Sequence, residues 1–203
     1  MLANVLRFFG VHQTANETEA KSNDVVCDSV QGLSFTFEPE RYMGNWYEIY
    51  HSSGEPFQPD SWTCSQASYT DLNLDDLTFK VYNSGSGRFF GPRFGVHGNA
   101  YCPQDTSTFG EGECFVQFFS QPFADTPNYQ IIDTDYETYS IIYACHEDDM
   151  QYLWFMSRTN TLSDEQVAMM MEKSKAAVPN YDFTQLTKDV QNDNKCTYVS
   201  DDQ

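Results

Sequence analysis

Apolar and polar positions along this chain do not sort into long helical stripes. Short stretches of strand-forming residues recur instead, each bounded by turn residues. Such stretches cover residues 46–52, 64–70, 77–82, 94–101, 114–121, 129–134, 139–145 and 151–157. Between them lie Asn83-Ser84-Gly85, Gly110-Glu111-Gly112, the run 122–128, Asp133-Thr134-Asp135 and the run 146–149, all of turn chemistry. Short links join neighbouring antiparallel strands. Eight such strands leave no open edge if they close into an up-and-down barrel, whose interior can hold one small ligand. A two-sheet sandwich is the alternative that periodicity leaves open.

One helix follows the strands. Ser163 precedes Asp164, Glu165 and Gln166, which is a capping box with acids at the positive end of the helix dipole. Val167, Met170, Met171, Ser174, Ala177 and Val178 form one packing face before Pro179 stops it. The methionines at 169 to 171 are expected to dock on the barrel wall and not to serve a cofactor. The fold class expected is therefore all-β, with one C-terminal α-helix packed against the barrel.

At 203 residues the chain suits one domain with tails. Residues 1–26 are set apart as a flexible extension and residues 27–203 as the domain. Leu2, Val5, Leu6 and Phe9 share a helical face, so this extension is either a truncated signal or a segment that docks on a protein partner. Asn16-Glu17-Thr18 makes Asn16 a glycosylation acceptor. No apolar run approaches the roughly 20 residues of a membrane helix, so an integral membrane protein is not expected.

The formal net charge of -19 would repel a phosphate backbone, which argues against nucleic acid as a partner. Aromatic residues make up 16% of the chain, enough flat rings to line a cavity as well as fill a core. Six cysteines without a CxxC pair or zinc spacing point to disulfides and away from a metal. Disulfides imply an oxidising compartment: secretion, or an oxidising lumen of the thylakoid type.

Gly44-Asn45-Trp46, in the run Arg41 to Tyr50 at the first strand, now gains partners. Thr134-Asp135-Tyr136 lies between the sixth and seventh strands, and Arg158 closes the eighth. These three blocks in this order resemble the lipocalin family. Within it the likeness is greatest to the apolipoprotein D, bacterial lipocalin and bilin-binding subgroup, carried also by Cys64 to Tyr69 and Tyr181 to Leu186. The resemblance implies that Trp46 lies across the closed end with Arg158 packed on its ring and the 134–136 turn beside them, all in structural roles. It also implies the disulfides Cys27–Cys145 and Cys64–Cys196. Cys102 and Cys114 flank one hairpin turn and depart from the family pattern; they are expected to pair with each other.

If Trp46 faces inward, strict alternation brings Glu48 and Tyr50 inward too. If Arg158 ends on the inner face, Met156, Trp154 and Tyr152 line the cup above it. Similarity to the family points separately to Tyr69, Tyr129 and Trp154 as ligand contacts. A wall of Tyr and Trp suits a flat, mostly apolar ligand with polar ends: a bilin, carotenoid, retinoid, steroid or fatty acid. The function expected is carriage of such a molecule, with no cofactor required. The alternatives are an enzyme on the same barrel, acting on a lipid or xanthophyll, or an accessory subunit of a larger assembly. Phe89, Phe90, Phe94, Phe118, Phe119 and Phe123 are candidates for the open rim. No catalytic residue is assigned. A synthase of this fold would need a free activated thiol, and all six cysteines can be placed in bridges.

Overall fold

The computed structural model describes residues 27, 28, 30–55, 58, 60–87, 90–104, 108–145, 150–191 and 194–200. The segment 1–26, with Asn16, lies outside the described residues, as does Phe89.

A short helix α1 (Pro39–Tyr42) leads into eight strands: β1 (Gly44–Ser52), β2 (Thr63–Asn73), β3 (Thr78–Ser86), β4 (Arg93–Tyr101), β5 (Glu113–Phe118), β6 (Tyr129–Thr134), β7 (Tyr139–Cys145) and β8 (Gln151–Ser157). Each pairs antiparallel with its chain neighbours, and β1 pairs with both β8 and β2, so the sheet closes into a barrel. Gly44 opens β1 at φ 91°, a left-handed conformation that favours glycine.

The seam at β1 is split. Its lower half, from Gly44 to Tyr47, pairs with β2, while its upper half, Tyr50 to Ser52, pairs with a ninth strand, β9 (Leu186–Lys188). Where β2 has peeled away, the chain after β9 fills the gap. The Asp189 carboxylate accepts from the Ser65 backbone N–H at 3.0 Å, and Gln191 Nε2 donates to the carbonyls of Glu48 and Ser65. This extra strand was not expected from the sequence, because a three-residue strand carries almost no periodic signal.

The main helix α2 (Asp164–Ala177) starts with the capping box that Ser163 and Gln166 form. It lays Met170 and Ser174 against the outside of the barrel, on a cluster that includes Tyr139, Ile141, Tyr143, Leu153 and Phe155. Met169 and Met171 flank that contact. A second cluster, around Trp46, Tyr69, Val81, Ile142 and Met156, fills the lower barrel interior. Most buried strand residues thus fall into two cores, one inside the sheet and one under the helix, while Phe115 packs apart from both with Tyr101 and Phe109.

Three disulfides tie the tails and one hairpin: Cys27–Cys145, Cys64–Cys196 and Cys102–Cys114. All six cysteines are engaged. Closing loops of 118 and 132 residues stabilises by roughly 4 to 5 kcal/mol each in the chain-entropy view.

Candidate functional site

The closed end is built around Trp46, which has no solvent exposure. The Arg158 guanidinium sits 3.7 Å from the centre of its ring. Arg158 also donates to three backbone carbonyls, those of Tyr136, Asn45 and Arg41, at 2.9 to 3.0 Å. The indole Nε1 donates to the Tyr42 carbonyl at 2.9 Å. A cation over a desolvated indole adds about 2 kcal/mol to these bonds.

The turn beside them explains its own sequence. Tyr136 adopts φ 67°, and the Thr134 hydroxyl donates to the Tyr139 carbonyl while accepting from the Tyr136 N–H. Asp135 accepts from the backbone N–H groups of Glu137, Thr138 and Tyr139. Partial burial pushes its carboxyl up, but the hydrogen bonds from Thr138 and the backbone outweigh this and hold it below the usual range.

Above this floor lies a chain of hydroxyls. Tyr42 bonds Ser140 at 2.8 Å and Tyr129 at 3.1 Å, and Tyr129 bonds Tyr69 at 2.9 Å. Tyr42 and Tyr69 are stacked, 5.6 Å between centres. Burial pushes all three phenols upward, Tyr42 to about 12, so they stay neutral. Tyr42 was not singled out from sequence as part of the site, although it stands inside the Arg41 to Tyr50 block.

A cavity of about 300 Å³ occupies the barrel above these phenols. Tyr69, Ala67, Val81, Val116, Tyr129, Ile142, Ala144, Trp154 and Met156 give it apolar walls. Segments linking β1 to β2 and β5 to β6 bound its upper part, through Glu55 and Gln58 on one side and Phe119, Gln121 and Pro122 on the other. Phe119 is 65% exposed there.

Among the residues expected to line it, Tyr69, Tyr129, Trp154, Glu48 and Met156 do so. Tyr152 is buried on the same face, its ring 5.8 Å from that of Trp154, but it does not reach the cavity. Tyr50 is a correction. A β-bulge between Glu48 and Tyr50 shifts the register against β8, so that Tyr50 faces Phe155 in the outer core. His51, paired with Trp154, takes the inward place. Strict alternation fails across a bulge because one strand carries an extra residue.

The upper cavity wall is polar. Glu48 and His51 are both buried, and the His51 Nδ1 lies 3.1 Å from Glu48 Oε1 but out of line for a hydrogen bond; His51 stands beside Glu48 and is not itself among the described residues that line the cavity. Neither His51 nitrogen has a hydrogen-bond partner among the described residues. Burial alone would lower the imidazole pKa, yet the carboxylates of Glu48, Asp189 and Glu55 outweigh it and raise it. Gln58 Nε2 donates to Glu48 and to the Ser65 hydroxyl. Glu55 accepts from the Trp154 indole N–H at 3.0 Å, and burial together with Glu48 pushes its carboxyl up to about 8. Burial and Glu48 likewise push Asp189 up to about 6. Glu55, Gln58, Asn83, Gln117 and His51 were not selected from sequence; only the three-dimensional closure of the loop and the bulge reveals them.

A model of the lipocalin-like domain matches residues 37–191. Temperature-induced lipocalin-1 of Arabidopsis thaliana is 35% identical over 182 residues, spanning 87% of each chain. Apolipoprotein D of Rattus norvegicus is 29% identical over 141 residues, covering 66% of this chain and 67% of that protein. Among solved structures, insecticyanin from the tobacco hornworm Manduca sexta superposes with a TM-score of 0.68 at 21% identity, over 86% of this chain and 91% of that one.

Proposed function

Because this chain belongs to the lipocalin family, we propose that it is a noncatalytic carrier that encloses one small hydrophobic ligand in its barrel, in an oxidising compartment. The observation that carries this is the cavity itself, closed below by Trp46 and Arg158 and walled by Tyr69, Tyr129, Val81, Ile142 and Trp154. Its volume of about 300 Å³ is that of a small-molecule site. Tyr69, Tyr129 and Trp154 make the principal contacts, with Met156 and Glu48 between them.

Two further features support a carrier over an enzyme. A thiol-dependent synthase needs a free cysteine, and all six are in disulfides. The phenols of the cavity floor are pushed towards neutrality and bonded to one another, which suits them to hold a ligand and not to move its protons. The disulfides favour secretion or an oxidising lumen. No helix among the described residues is long and apolar enough to cross a membrane.

Native purification followed by an absorption spectrum and mass spectrometry of the extract tests the proposal. A co-purifying apolar molecule, or quenching of Trp154 fluorescence by a retinoid or fluorescent lipid probe, is the expected result. A protein that emerges empty and binds no such probe would overturn it.

A further inference from the structure

We propose that the cavity selects apolar ligands whose polar end donates hydrogen bonds or carries a protonated amine, and discriminates against ligands that end in a carboxylate. This rests on the carrier function above and assigns the chemical class of its cargo.

Three observations meet at the upper wall. First, the carboxyl side chains among the described lining residues are Glu48 and Glu55, and those described residues include no lysine or arginine. Second, the side-chain carbonyls of Asn83 and Gln117, both on the lining, are buried and accept from no donor among the described residues. Third, His51, only 2% exposed, stands beside the lining residue Glu48 with its Nδ1 3.1 Å from that carboxylate, so any positive charge it takes up is already opposed there. Buried acceptors without donors carry a free-energy penalty that the fold alone does not remove. A ligand bringing N–H or O–H groups removes it.

Several donors among the described lining residues are already committed. Trp154 Nε1 donates to Glu55, Gln58 Nε2 to Glu48 and Ser65, and the Asn128 amide to the Val116 carbonyl. Four hydroxyls at the floor, of Ser140, Tyr42, Tyr129 and Tyr69, make three bonds among themselves, which leaves one O–H free. A carboxylate would therefore meet the Glu48 carboxylate, and His51, the cation-forming side chain beside it, is already set against Glu48. An amine would sit between Glu48 and Glu55.

Glu55 gives the proposal its own pH signature. Glu48 and His51 on β1, Asp60 on the following loop and Trp154 on β8 form its electrostatic surroundings, with Asp189 after β9 acting on His51 and Gln58 bonded to Glu48. With its carboxyl held up near 8, it is mostly protonated at neutral pH and must release a proton to pair with an ammonium group. Affinity for an amine therefore rises as pH climbs through about 8.

The test is competition of n-decylamine, n-decanol and n-decanoate against a fluorescent lipid probe, with isothermal titration to count protons. The amine is expected to bind roughly tenfold more tightly than the carboxylate, with the alcohol between them. In Glu55→Gln the amine's rise with pH should flatten, and in the double variant E48Q/E55Q its advantage should collapse. Circular dichroism of both variants checks that they fold. Decanoate binding as tightly as decylamine, or an amine advantage intact in the folded double variant, overturns the selectivity. If neither the probe nor any of the three binds the wild type, the carrier function itself falls.

Discussion

At the closed end of the barrel, Arg158 reaches three backbone carbonyls and the face of Trp46, and the indole N–H of Trp46 is itself bonded. Halfway up the same barrel, the side-chain oxygens of Asn83 and Gln117 are buried and accept from no donor among the described residues, and Glu55 is pushed up to about 8. Both regions are buried and aromatic, so composition does not separate them. What separates them is satisfaction of polar groups. A region whose donors and acceptors all close on one another is complete as structure, whereas one that leaves acceptors open is complete only with something bound.

The sharpest way to break this contrast is to remove the ring at each end in turn. Trp46→Ala is expected to lower unfolding free energy by roughly 3 to 5 kcal/mol, since it opens a cavity and strips Arg158 of its platform. Urea denaturation measures it. A loss under about 1 kcal/mol would mean that the floor does not hold the fold together. Trp154→Ala should behave the other way round. Affinity for a retinoid or lipid probe falls about tenfold, while stability falls by much less than in Trp46→Ala. Equal stability losses in the two variants would erase the distinction between floor and wall.

A smaller effect separates the two ends by pH. Glu55, Asp189 and His51 all have folded-state pKa values above their usual ones. The folded state therefore holds protons more tightly than the unfolded chain. Their contribution is fully present below the unfolded values and is lost as pH rises, through about 6 for Asp189 and about 8 for Glu55. Asp135 at the closed end is lowered instead, so its contribution is lost only as pH falls below the usual carboxylate range. Stability should thus peak in mildly acid solution and decline toward pH 8 to 9, about the range set by Glu55. Repulsion within a chain of net charge -19 acts in the same direction. Glu55→Gln is the control, because it removes the local part of the slope and leaves the global part.

The floor was legible in the sequence because each of its members is fixed by its own chain neighbourhood. Gly44 must take a positive φ just before Trp46, and Thr134 and Asp135 cap the very turn they stand in. The strand count and the helix were legible for the same reason, since turn residues and the Ser163 capping box are local signals. The cavity was legible only in part. Tyr69, Tyr129 and Trp154 line it as expected, but Glu55, Asn83 and Gln117 come from separate elements that only the closed barrel brings together. β9 and the bulge in β1 were missed because neither leaves a mark on hydrophobic periodicity.

That bulge yields the smallest predicted effect and the most direct check on which side chains face the ligand. Strict alternation would put Tyr50 beside Glu48 inside the cup, whereas the register shift turns it out against Phe155, with the Lys188 ammonium 6.0 Å from its ring. Tyr50→Phe removes only a hydroxyl on that outer surface. Probe affinity should stay within about twofold of wild type, and stability within about 0.5 kcal/mol, as for a surface change that breaks no buried bond. His51→Phe, at the neighbouring position, exchanges a buried imidazole next to Glu48 for an apolar ring and should alter both affinity and its pH dependence. If Tyr50→Phe weakens binding while His51→Phe does not, the bulge lies elsewhere in solution and the inner face of β1 follows simple alternation after all.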